Sequence, residues 1–168
     1  MISYHVSKED YSPGAIVSTN KYFEITVARG NEWVEDVLER HRPEGAPSRS
    51  TCVFTFPELQ LALAYGSRLP QPVYYYVVEI PDKHHKCPMV LCEAIRSRGR
   101  YDGITQQLCK EYWTPTLEWQ VYELLTSSFK VIEKLQLTDF SERSMGIARY
   151  MGDATRSSEW IKTLSRIR

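Results

Sequence analysis

The sequence predicts an α+β domain, and three observations carry that prediction. Runs of β-branched and aromatic residues recur at both ends and in the middle of the chain, at residues 2–7, 53–56, 73–80 and 129–135. Windows with helical period lie between them, at residues 31–41, 59–66 and 101–113. The 168 residues are the length of one ordinary domain, enough to bury about two thirds of the unfolded surface without covalent staples.

Composition narrows the class. Twenty-one basic side chains against 21 acidic ones leave no net field, so nothing marks a general nucleic-acid binder or a membrane-surface protein. The opening Met1-Ile-Ser-Tyr-His has neither the charged nor the apolar segment of a secretory signal, and no run of eighteen apolar residues occurs. The expectation is a soluble, cytoplasmic protein with no membrane partner. Cysteines 52, 87, 92 and 109 lack a tight repeated spacing and are expected to stay reduced, packing as small hydrophobes. Eleven tyrosines and four tryptophans are more flat amphipathic rings than a core requires, and such rings suit stacking sites.

Taken in order, residues 2–7 alternate as a strand with Tyr4 and Val6 on one face and His5 and Ser7 on the other, polar one. Pro13-Gly14 punctuates a turn, and residues 15–17 read as a short second strand leading into a polar loop. Asn31 is the expected N-cap of a helix whose face is Trp33, Val34, Val37, Leu38 and His41, with His41 complementing the dipole at its end. Two prolines and a glycine make residues 42–49 a rigid loop that delivers Arg49. Residues 51–56 then form a β-run that breaks at Pro57 into an apolar helix stopped by Gly66. Residues 73–80 are apolar on both faces, which predicts a central strand.

His84 and His85 are neighbours whose side chains diverge, without the paired spacing of a zinc site, so residues 83–87 are read as an exposed turn and no metal is expected. Residues 89–94 read as a strand and residues 96–100 as a basic loop. Ile104, Leu108 and Tyr112 define a helix ending at Thr114-Pro115. Residues 116–125 fit strand alternation and helical period alike. They are read as a strand because Thr126-Ser-Ser128 is a turn and residues 129–135 alternate, which completes a hairpin. From Asp139 the chain is a polar helix with Trp160, Ile161, Leu164 and Ile167 as its packing face. The division is thus a ligand-binding unit at residues 1–138 and a helical extension at residues 139–168 packed on it.

The stretch at residues 51–66 is the candidate cleft. A strand that turns directly into a helix brings Phe54 and Tyr65 together with free helix N–H groups, a combination that suits a planar, phosphate-bearing ligand.

The order of His5 on a first strand, Phe54 and Tyr65 across a strand-to-helix turn, and Glu118 or Glu123 late in the chain resembles the ADP-ribosyltransferase family, in its histidine–tyrosine–acid branch. The small rifamycin-modifying members are the nearest likeness: they open with a tyrosine–histidine strand and a Pro-Gly turn like residues 4–14, and have a strand–helix segment like residues 53–64. The resemblance implies a split β-sheet core with peripheral helices, and NAD as the substrate. It implies that His5 bonds a ribose hydroxyl, that Val6 and Ser7 add contacts through backbone and hydroxyl, and that Phe54 and Tyr65 sandwich the nicotinamide. Phenylalanine stands at position 54 where the family usually has tyrosine, which keeps a stacking face and loses a hydroxyl. A glutamate, Glu118 or Glu123, would stabilise the oxocarbenium-like centre left when nicotinamide departs. Arg49, with Arg96, Arg98 and Arg100, would hold the pyrophosphate or the phosphates of an acceptor. The ADP-ribose acceptor is a small molecule, a protein or a nucleic acid. Two rival readings stand beside it: an RNA 2′-phosphotransferase-like enzyme relying on several arginines, and a catalytically silent NAD-binding module.

Overall fold

Antiparallel pairing of short, half-apolar strands organises the chain. The computed structural model describes residues 1–18 and 32–167, and the expected Asn31 cap lies outside them. β1 (Ile2–Ser7), β2 (Ile16–Val17), β4 (Tyr74–Glu79) and β7 (Phe129–Lys134) form one sheet in the order β1-β4-β7-β2. β3 (Val53–Thr55), β5 (His85–Pro88) and β6 (Tyr122–Thr126) form a second sheet in the order β3-β6-β5. Every pairing is antiparallel. One bridge joins the sheets: Tyr4 N donates to the Phe56 carbonyl at 2.8 Å and Phe56 N to the Tyr4 carbonyl at 2.7 Å.

The helices are α1 (Glu32–Arg40), α2 (Leu59–Gly66), α3 (Val90–Arg98), α4 (Gly103–Trp113) and α5 (Arg143–Arg166). Side-chain alternation divides the core between them. Val53, Leu124, Tyr76, Val78, Phe129 and Val131 make a cluster to which both sheets contribute. Phe54 and Leu125 turn the other way, onto a cluster built by α1, α3 and α4. Val6, Phe56 and Tyr75 pack under α2 in a third cluster, which Tyr150 of α5 also touches. α5 lies mainly along α2. No helix among the described residues is long and apolar enough to cross a membrane.

Several expectations hold. β1 spans the predicted residues, β4 is flanked by β1 and β7 as a two-faced apolar strand should be, and α1 and α4 occupy their helical windows. Others are corrected. Residues 83–87 are not an exposed turn: His85–Pro88 form β5, paired with β6, and Cys87 is buried. Residues 89–94 are not a strand: Val90, Leu91 and Ile95 are the buried face of α3, which Arg96 and Arg98 finish and Gly99 stops with φ +62°. β6 and β7 do not form a hairpin, because the turn at residues 127–128 passes the chain from one sheet to the other. Of the strand predicted at residues 116–125 only residues 122–125 are extended, Thr126 continues β6 instead of opening the turn, and residues 116–121 are a loop. Gly66 is the last helical residue, and a Cβ there would meet the Tyr75 hydroxyl, so packing rather than a left-handed stop accounts for it. Ile167 is exposed rather than packed. The face of β1 read as polar is buried, with Ser3, His5 and Ser7 all interior, and Val6 on the other face is buried too.

Candidate functional site

Arg49 makes four side-chain hydrogen bonds. The Pro43 and Pro47 loop carries it inward, where it is only 5% exposed. Its guanidinium grips Glu35 of α1 through two nitrogens, at 2.7 and 3.2 Å, and reaches Glu123 of β6 at 2.5 Å. It also donates to the Tyr112 hydroxyl, which in turn donates to Glu123 at 2.5 Å. Burial raises the Tyr112 phenol well above its ordinary pKa, so it stays a donor. Phe54 lies under the same guanidinium, its ring 4.9 Å from the central carbon. One cation between two carboxylates is a closed arrangement that ties α1, α4 and β6 together.

Glu118 sits in a different setting. Two buried carboxylates shape the loop at residues 114–121 by accepting from its backbone. Glu111 of α4 takes Thr116 N at 2.9 Å, Leu117 N at 2.8 Å and the Trp119 indole at 2.9 Å through one oxygen, and the Thr116 hydroxyl at 2.7 Å through the other. Asp153 of α5, with no exposed surface, takes Gln120 N at 3.0 and 2.9 Å and Val121 N at 2.8 Å. Glu118, the residue between these two clamps, is exposed. The sequence reading missed Glu111 and Asp153, although both carry a signal. Glu111 follows Ile104 and Leu108 on the apolar face of α4, and Asp153 falls in the stripe of Tyr150, Ser157 and Trp160. An acid inside an apolar helical stripe is a buried acid that needs donors.

His5 is 8% exposed, and its Nδ1 lies 2.8 Å from the Phe54 carbonyl. A carbonyl only accepts, so Nδ1 carries the proton and Nε2 offers a lone pair. Burial lowers the pKa of the ring from 6.5 to about 4, against the smaller opposing effect of that hydrogen bond, and keeps the imidazole neutral at pH 7. The Phe129 ring is 4.4 Å away and the Tyr11 ring 6.3 Å.

The predicted residues therefore fall into three places. Arg49, Phe54 and Glu123 share the α1–α4 side, whereas His5 meets Phe54 only through its backbone, because strand alternation turns the Phe54 ring away. Ser7 accepts from Glu9 N at 3.0 Å, and Val6 is buried beside Phe56. Tyr65 faces Phe56 at 5.1 Å, in the α2 cluster rather than opposite Phe54. Of the arginines read as a basic loop, Arg96 and Arg98 end α3; Arg96 pairs with Glu93, while Arg98 and Arg100 share Asp102, the N-cap of α4. His84 and His85 bond different carbonyls, those of Pro81 and Trp113.

Comparison with known proteins adds nothing to this geometry: no family model matches the chain, and no curated protein matches its sequence.

Proposed function

We propose that the chain is an NAD-binding domain of the ADP-ribosyltransferase type, which releases nicotinamide and passes ADP-ribose to an acceptor. The observation that carries this reading is His5 at the junction of the two sheets. A neutral imidazole fixed through Nδ1 presents Nε2 as an acceptor for a sugar hydroxyl, the role the family resemblance implies. The strand order supports the reading as well. Two antiparallel sheets that meet at Tyr4 and Phe56 agree with a split sheet, with β1, the β3-to-α2 turn and β6 as its inner elements. Of the two glutamates, Glu118 is the acid assigned to the chemistry, because it is exposed on a clamped loop while Glu123 is consumed by Arg49 and Tyr112.

Calorimetric titration with NAD tests the reading. The protein is expected to bind and to gain melting temperature with NAD concentration. His5→Ala is expected to weaken binding about tenfold, the effect of losing one well-placed hydrogen bond. His84→Ala and His85→Ala leave it unchanged. Absence of heat at millimolar NAD contradicts the assignment.

One observation favours a second reading, the silent NAD-binding module: Phe54 and Glu123 are both engaged by Arg49. Binding without nicotinamide release separates it from the transferase. The pairing of Arg49, Arg96, Arg98 and Arg100 with carboxylates weighs against a phosphotransferase that needs those arginines for phosphate.

A further inference from the structure

A cavity of about 300 Å³ opens between α2 and α5, and no member of the Arg49 network lines it. Its walls include the rings of Tyr65 and Tyr150, the thioethers of Met89 and Met151, and Ile147. This volume is at the lower end for a small-ligand site, and such sites are mostly apolar with a few placed polar groups. Methionine lends adaptable walls, and the two tyrosines lend flat ones. Ile147 and Met151 extend the apolar surface to the rim, 44% and 58% exposed.

The cavity is held open by fixed points on either side of it. At Gly146 the helices touch so closely that a Cβ would stand 2.2 Å from the Gln60 carbonyl oxygen. Arg149 bonds Glu58 and the Gln120 carbonyl, each at 2.8 Å, and Asp153 holds the Gln120 and Val121 amides. A site whose walls are already pinned spends little of its binding energy on ordering.

Charge selects the ligand. Arg68 also lines the cavity, its guanidinium 5.4 Å above the Tyr150 ring. Among the described residues, no carboxylate lines the cavity. Unlike Arg49, Arg98 and Arg149, Arg68 forms no ion pair among the described residues. We propose that this cavity binds a small organic anion with a flat apolar body, its acidic group on Arg68 and its body between Tyr65, Tyr150 and the two methionines. The proposal concerns a ligand other than NAD and does not rest on the transferase reading.

Fluorescence titration of the intact chain with anilinonaphthalene sulfonate, a flat aromatic anion, and with phenylnaphthylamine, its uncharged analogue, tests the proposal. Saturable binding of both probes is expected, with the anion tighter. Arg68→Gln should weaken the anion about tenfold and leave the neutral probe within twofold. Met151→Trp, at an exposed position that a larger ring would narrow, should weaken both about tenfold, while circular dichroism and the urea midpoint stay unchanged. Saturating NAD should leave both affinities within twofold. Equal anion affinity in Arg68→Gln, or no saturable binding by the folded protein, overturns the proposal. So does displacement of the probe by NAD, which would make the cavity part of the dinucleotide site. A dimer on size exclusion that Met151→Trp dissolves would put a second copy there instead.

Discussion

Glu123 and Glu118 stand five positions apart, and the difference between their surroundings is the most informative contrast in the molecule. Glu123 belongs to β6 and is satisfied by two side chains, a guanidinium 74 positions away and a phenol 11 positions away. Glu118 belongs to a loop whose backbone is satisfied by Glu111 and Asp153, so its own carboxylate is left outward. The first arrangement uses acids to close a core. The second uses buried acids to hold still a stretch that carries an exposed one, the condition under which a single carboxylate can act on a ligand. The two regions can be pulled apart by substitution, beginning with the largest expected effect.

Arg49→Met removes the cation that Glu35 and Glu123 share and leaves two carboxylates facing each other in the interior. Breaking a buried pair from one side costs about 3–5 kcal/mol, so urea denaturation should show a loss of that size. A loss under about 1 kcal/mol would mean that the network contributes little and that Glu123 is free for other work.

The histidine gives a pH signature of nearly the same size. His5 has its pKa lowered from 6.5 to about 4 in the folded state, so between those values the unfolded chain binds a proton that the native chain does not. Stability then rises with pH. It is fully present above 6.5 and declines toward 4, by on the order of 3 kcal/mol from this group alone. Other carboxylates titrate in the same window, so the measurement is the difference between the urea midpoints of the parent and of His5→Asn across pH 4 to 7. Parallel curves would place His5 in a more solvated setting than the sheet junction.

Asp153→Asn probes the loop side. The amide keeps the shape but brings a donor toward Gln120 N and Val121 N, at a cost of about 2 kcal/mol. Hydrogen exchange should quicken at the amides of Gln120 and Val121 and stay slow at Leu124 and Leu125 in β6. Acceleration through β6 as well would show that loop and core open together as one unit, against the separation of the two regions.

How much of this was legible in the sequence follows the range of the interaction. β1, β4, α1 and α4 were readable because period-2 and period-3.6 patterns are local and their caps and stops lie within a few residues. α3 was misread because Val90, Leu91 and Cys92 form a short apolar run that fits either element, and Gly99 beyond the basic turn was the cue that arbitrates. The β6–β7 hairpin was misread because a turn fixes a change of direction but not whether the next strand stays in the same sheet. The site was harder still. Arg49 is 74 positions from Glu123 and 63 from Tyr112, and no local pattern records such a pairing. Phe54 and Tyr65 were expected to face each other on spacing alone, yet the strand sends one ring to the α1–α4 cluster and the helix sends the other to the α2 cluster. His5 was placed on the correct face, but its burial and its neutral ring depend on Phe54 and Phe129, which no pattern within β1 records.

The direct test of the functional account is nicotinamide release from NAD, measured alone and with cell lysate supplying an acceptor, for the parent, Glu118→Gln and Glu123→Gln. A carboxylate that stabilises a cationic transition state matters far more to turnover than to ground-state binding. Glu118→Gln is therefore expected to cut turnover on the order of a hundredfold to a thousandfold, about 3–4 kcal/mol, while NAD affinity stays nearly intact. Glu123→Gln is expected to lower stability and to leave turnover per folded molecule unchanged. No release from the parent, or equal and mild effects from the two substitutions, would contradict the transferase account and leave the silent NAD-binding module in its place.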